Sequence, residues 1–231
     1  MYFGHQSVGA QVVEAVEELS ASMGLGIRVL QTTHLDAVRA PSFVHFPAGC
    51  NRNPASKNDA MIRLLESPHA SDDALVVLKY CYVDIDARSD VDEIFDRYVA
   101  MVERIRGRHP GMTVVHSTVP LATVDSAFRT TLKRAIGKPD RRAAAIARHR
   151  YNSKLRSKYA GAPLFDIADA EATDGEGLPS GFASKDSWVP TLANEHSADG
   201  GHLNAGGSRR AASALLDALA SACVKARSNH S

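Results

Sequence analysis

The sequence predicts an α/β fold: a single three-layer domain over residues 1–231, with a mostly parallel sheet of about five strands and helices on both faces. Three observations carry this. Short apolar runs alternate with segments of helical periodicity along the chain. One run, Ala74 to Tyr80 (ALVVLKY), is apolar without alternation, as a parallel strand covered on both faces must be. The chain has 231 residues, 44% of them hydrophobic, which is enough material for one sizeable core.

The elements follow in order. Residues 7–23 read as an amphipathic helix, with Val8, Val12, Val16, Leu19 and Met23 near helical spacing and Gly24 as its stop. The chain enters this first motif after three residues, so the strand that should precede it looks truncated. That leaves room for a longer native N-terminus carrying any targeting signal. Gly26 to Gln31 reads as a short strand, and Thr32 to Asp59, with Pro41, Pro47, Pro54 and Gly49, as a long polar connection. A short helix is expected at 60–66 and the central strand at 74–80. A second amphipathic helix is expected at 90–107, with Val91, Ile94, Phe95, Tyr98, Val102 and Ile105 inward, and a strand at 112–116. Helices are read at 125–136 and 140–160, the latter basic, and a last strand at 164–167. Residues 171–198 read as irregular, and 208–225 as a final helix with Ala212, Leu215, Leu216, Leu219 and Cys223 on one face.

Composition excludes several functions. The net charge is +1, from 27 basic and 26 acidic residues, so no global field selects nucleic acid or anionic lipid. The basic stretch Lys133 to Lys158 then reads as a solvated helix face, and Arg52 and Lys57 as solvated charges or, in the alternative, as contacts for substrate. Aromatic residues make up 6% and are scattered, which offers no base-stacking platform. Cys50, Cys81 and Cys223 are odd in number and widely spaced, which fits neither a disulfide framework nor a CxxC metal site. No run of 18 apolar residues spans a membrane, and there is no signal peptide. The default compartment is the cytoplasm; the oligomeric state is not fixed.

The chemistry-bearing residues sit at the two ends. Asp199-Gly200-Gly201-His202 precedes the final helix, and Ser7 opens the first one. A serine hydroxyl needs a base to take its proton. His202 supplies that base, and Asp199 would fix its tautomer and stabilise the imidazolium. In an open α/β sheet the loops at the carboxyl ends of the strands share one edge, which is where Ser7 falls. Each residue also has a plainer reading. Ser7 alone is a helix N-cap, Asp199 a turn former, and His202 one of ten histidines. The order and pairing of the two segments favour the chemical reading. The spacing His196-x-x-Asp199-x-x-His202 also suggests metal ligands, but no fourth ligand is implied, and no metal is expected.

With these residues in place the chain resembles the SGNH (GDSL-type) hydrolases. Asp199-Gly200-Gly201-His202 looks like that family's last motif block, and Gly4-His5-Gln6-Ser7 like a variant of its first. The resemblance implies a flavodoxin-like sheet and a serine esterase with Ser7, His202 and Asp199 as its triad. It implies a small acyl ester substrate, with acetyl on a carbohydrate as one form, and no cofactor. The family's second block supplies an oxyanion-hole glycine, for which Gly49 is the best match. Its third block, G-x-N-D, should fall near Lys79 to Asp84, which contains neither Gly nor Asn. Asn51 and the Tyr82 hydroxyl are then the candidates for the missing donor, beside backbone N–H groups of Ser7 and Gly49. An acyltransferase with the same triad is the alternative activity. A non-catalytic ligand-binding protein on a degenerate fold is the alternative class, and it requires Ser7 and His202 out of hydrogen-bond reach. A flavodoxin-like nucleotide-binding module is disfavoured, because the first turn lacks the Gly-rich fingerprint.

Overall fold

The structure is a computed structural model and describes residues 1–124, 141–185 and 187–228. The helix expected at 125–136 lies outside the described residues. A five-stranded parallel sheet runs in the order β2-β3-β1-β4-β5, formed by β1 (Tyr2–His5), β2 (Val29–Gln31), β3 (Phe43–Pro47), β4 (Leu75–Leu78) and β5 (Thr113–Val114). One residue after β5, β6 (His116–Ser117) pairs in parallel with β7 (Leu164–Phe165).

The strand expected to be truncated is β1. It is four residues long and central, paired on one side with β3 and on the other with β4. The connection read as a polar loop from Thr32 to Asp59 is also corrected. It contains β3, and α2 (Pro54–Leu65) starts inside it. In β3 the buried run Phe43–Phe46 is interrupted by His45, which is buried because its Nδ1 meets Nε2 of His5 at 3.0 Å. Burial lowers the pKa of both imidazoles, His5 to about 3, so the pair is neutral and one ring donates to the other.

Helices cover both faces. α2, α3 (Val91–Arg108) and α4 (Arg141–Lys158) share one core with the sheet, around Met61, Leu65, Val102 and Tyr151. α1 (Val8–Ser22), α5 (Ile167–Ala172) and α6 (Ala205–Ser228) share the other, around Phe3, Val12, Val16 and Leu215. Local chemistry sets the helix starts. Asn53 accepts from Ser56 N at 3.0 Å ahead of Pro54, and Asp90 accepts from Asp92 N and Glu93 N at 3.1 and 3.0 Å. Arg106 and Arg108 complement the end of α3. In α6, Ala211, Ala212, Leu215, Ala218 and Ala222 form the buried face, whereas Cys223 is exposed. The stretch read as irregular holds the end of α5 and an antiparallel hairpin, β8 (Gly181–Ala183) with β9 (Trp188–Pro190). Among the described residues no helix is long and apolar enough to cross a membrane.

One buried carboxyl makes stability pH-dependent. Glu171, on α5, is 2% exposed, and burial raises its pKa to about 8 although the Leu121 N–H donates to it. Its other oxygen has no partner among the described residues. An unfolded glutamate loses its proton near pH 4.3. Between that pH and about 8 the native state therefore holds more protons than the unfolded one, and stability falls as pH rises. Glu171→Gln should flatten this decline, measured as Tm against pH from about 5 to 8. An unchanged slope would place the group's titration elsewhere.

Candidate active site

Three loops meet at the carboxyl edge of β1, β3 and β4. The first is the β1–α1 turn. Ser7 holds φ 44° and ψ −105°, a backbone region that costs a non-glycine residue about 1–3 kcal/mol. It stands at the N-cap position of α1, yet its side chain caps no N–H. Instead Ser7 Oγ lies 2.5 Å from His202 Nε2. The plain N-cap reading does not describe it, and the degenerate-fold reading required these two groups to be apart.

The second loop carries His202. His202 Nδ1 lies 2.7 Å from Asp199 Oδ2, and Asp199 Oδ1 accepts from the backbone N–H of His202 at 2.8 Å and of Gly201 at 3.0 Å. A carboxylate facing Nδ1 puts the ring proton there, so Nε2 is left to accept from Ser7. The His202 backbone N–H, then its ring, then the Gly201 N–H pull Asp199 down to about 2. It is fully ionised at neutral pH. A Cβ at Gly201 would lie 2.4 Å from the Tyr82 hydroxyl, so a larger residue there would push the Tyr82 ring aside.

The His202 loop is tied to α1 by a residue that sequence reasoning missed. Gln11 Nε2 donates to Leu203 O at 2.7 Å, and Leu203 N donates to Gln11 Oε1 at 3.1 Å. A paired amide clamp one turn into the helix thus fixes the loop that carries His202. The signal in the sequence was an amide within the otherwise apolar first turns of α1.

The third element joins the candidate oxyanion residues. Gly49 follows β3 with φ +56°, and a Cβ there would lie 2.5 Å from the Ser56 carbonyl carbon. Gln6 Nε2 donates to Gly49 O at 2.8 Å, which ties this loop to the β1–α1 turn. Gly49→Ala should cost about 1–3 kcal/mol in a urea melt, because positive φ and steric overlap combine. A neutral effect would mean that the loop shifts freely. Asn51 accepts from Lys57 Nζ at 3.2 Å. Tyr82 packs edge-on against the His202 ring, with centroids 6.1 Å apart, and burial followed by the Asp199 charge raises its phenol pKa.

Lys57 is not a solvated charge. Its side chain is 0% exposed and pairs with Asp84, also 0% exposed, at 2.5 Å. Asp84 further accepts from Arg52 N at 2.7 Å and Cys81 N at 2.6 Å. One buried carboxylate therefore holds the loop after β3 and the loop after β4 together, and these loops bear Gly49, Asn51 and Tyr82. In the basic helix Arg148 alone among the described basic residues departs from the solvated reading, at 4% exposed, whereas Arg141, Arg150 and Lys158 are exposed. His196, the outer member of the metal-like spacing, is buried, and its Nε2 meets Thr173 O at 2.9 Å.

No family model and no curated protein matches the chain. Solved structures do. A GDSL-like lipase from Bacteroides thetaiotaomicron aligns with TM-score 0.56 at 13% identity, over 96% of this chain and 87% of that one. An acetyl xylan esterase aligns with TM-score 0.52 at 16% identity, over 94% and 97%. The chain has the SGNH (GDSL-type) hydrolase fold. The periplasmic domain of a lipopolysaccharide acetyltransferase from Salmonella Paratyphi A shares this SGNH fold too, with TM-score 0.54 at 12% identity over 94% and 82%.

Proposed function

We propose that the protein is a serine ester hydrolase acting on a small acyl ester, with acetyl on a carbohydrate as the model substrate. The observation that carries this is the unbroken hydrogen-bonded chain from Ser7 Oγ through His202 to Asp199, at 2.5 and 2.7 Å. Ser7 Oγ attacks the ester carbonyl while His202 Nε2 takes its proton. Asp199, held ionised by its N–H donors, stabilises the imidazolium. Backbone N–H groups of Ser7 and Gly49 hold the oxyanion, with Asn51 and Tyr82 lining its flank. His202 then returns the proton to the leaving alcohol, and a water activated by the same imidazole releases the acid.

The test is turnover of p-nitrophenyl acetate with acid quenching and peptide mapping. The reading expects saturable hydrolysis and an acetyl group on the Ser7 peptide. Acetyl on another residue sinks it. The Salmonella neighbour favours one second reading, acyl transfer, in which an acceptor alcohol replaces water. Transfer predicts that added alcohols divert the acetyl group into a new ester, and hydrolysis predicts free acetate regardless.

A further inference from the structure

Beside the triad lies a cleft of about 680 Å³, lined by Tyr82, Asp199, Gly200 and Gly201 on the catalytic side. Arg52, Arg88, Arg141 and Arg148 line it as well. Four guanidinium groups in one cleft are a local concentration, because the whole chain carries a net charge of only +1. Two carboxylates, Asp86 and Asp199, also line the cleft, so its four guanidinium groups outnumber them. Asp199 is bound to His202, and Asp86 Oδ1 accepts from the Arg88 backbone N–H at 2.8 Å.

Arg148 is the most telling of the four. It is 4% exposed and pairs with no carboxylate among the described residues. Its Nη1 donates to Tyr82 O at 3.1 Å and Ile85 O at 3.3 Å, while its Nε has no partner among the described residues. Burial lowers its pKa to about 10, which leaves it cationic at neutral pH. The carboxylates that act on it, Glu171 and Asp86, do so through space and form no ion pair with it, so its charge and its free Nε–H favour a bound anion. Arg141 stands nearer the base loop, its Nη1 3.3 Å from where a side chain at Gly200 would begin.

We infer that this cleft receives the alcohol part of the ester, and that this alcohol bears an anionic group, a carboxylate or a sulfate- or phosphate-type oxyanion, bound by the arginines that line it. The inference rests on the hydrolase reading in one respect. If the acyl group is small, a cleft of about 680 Å³ is far larger than it needs and belongs to the alcohol. The rest follows from charge. Arginine forks bind carboxylates and tetrahedral oxyanions in paired hydrogen bonds, and a charged ligand contact is stronger than a neutral one.

The experiment compares kcat/KM for phenyl acetate, 3-acetoxybenzoate and 3-acetoxybenzenesulfonate at low ionic strength. In parallel, calorimetry measures binding of the matching products: phenol, 3-hydroxybenzoate and 3-hydroxybenzenesulfonate. Each is repeated with Arg52→Ala/Arg88→Ala, two exposed positions whose truncation leaves the core intact, and with Arg148→Met. We expect at least one anionic ester to be favoured over phenyl acetate by about tenfold or more, and that ratio to shrink in the variants. The carboxylate and sulfonate arms tell a planar from a tetrahedral group. Turnover of all three esters with equal kcat/KM overturns the inference and leaves the hydrolase reading standing. Binding of an anionic product but not phenol, without turnover of any ester, overturns the hydrolase reading and keeps the anion site. Should Arg148→Met fail to fold, the double variant still decides.

Discussion

His202→Ala should lower kcat on a short acyl ester by about 10⁴-fold while leaving the melting curve close to wild type. The ring is partly exposed, with 39% of its side chain accessible, so its loss opens no core cavity. What it removes is the acceptor 2.5 Å from Ser7 Oγ, without which the hydroxyl keeps its proton. Asp199→Asn should act in the same direction with the fold unchanged. An amide no longer holds the ring proton on Nδ1, so Nε2 stops being a dedicated acceptor. The check is steady-state kinetics beside circular dichroism. A variant that keeps wild-type kcat would remove His202 from the chemistry.

Lys57→Met should have the largest effect on stability, about 3–5 kcal/mol in guanidinium unfolding. Both members of the Lys57–Asp84 pair are fully buried, so the variant leaves a carboxylate in the interior without its cation. Asp84 retains N–H donors from Arg52 and Cys81, and these soften the loss without replacing a full charge. Activity should fall with stability, because the same carboxylate joins the two loops that flank Ser7. A loss below about 1 kcal/mol would mean that water reaches the pair.

The fold order and the serine, histidine and aspartate were legible because they rest on local signals. A residue type, its place at a helix start or before a final helix, and the alternation of strands and helices can each be read within a short window. The buried parts were hidden because their partners are distant in sequence. β3 looked like loop because Pro41, Pro47 and His45 mask five paired residues, and His45 is buried only once His5 stands beside it. Lys57 looked solvated because its partner, Asp84, lies far along the chain in the loop after β4. Arg148 looked like part of a wet basic face, since nothing nearby in sequence shows that it turns inward to the carbonyls of Tyr82 and Ile85. The amide clamp of Gln11 on Leu203 was invisible for the same reason. Charged and amide side chains in tertiary roles defeat composition, because burial with a partner is a property of pairs.

The central claim is that Ser7 is a nucleophile activated by His202. Labelling with a fluorophosphonate probe, followed by mapping of the modified peptide, tests it most directly. The account predicts one adduct, on Ser7, lost in Ser7→Ala and strongly slowed in His202→Ala. Labelling that persists in Ser7→Ala would contradict it.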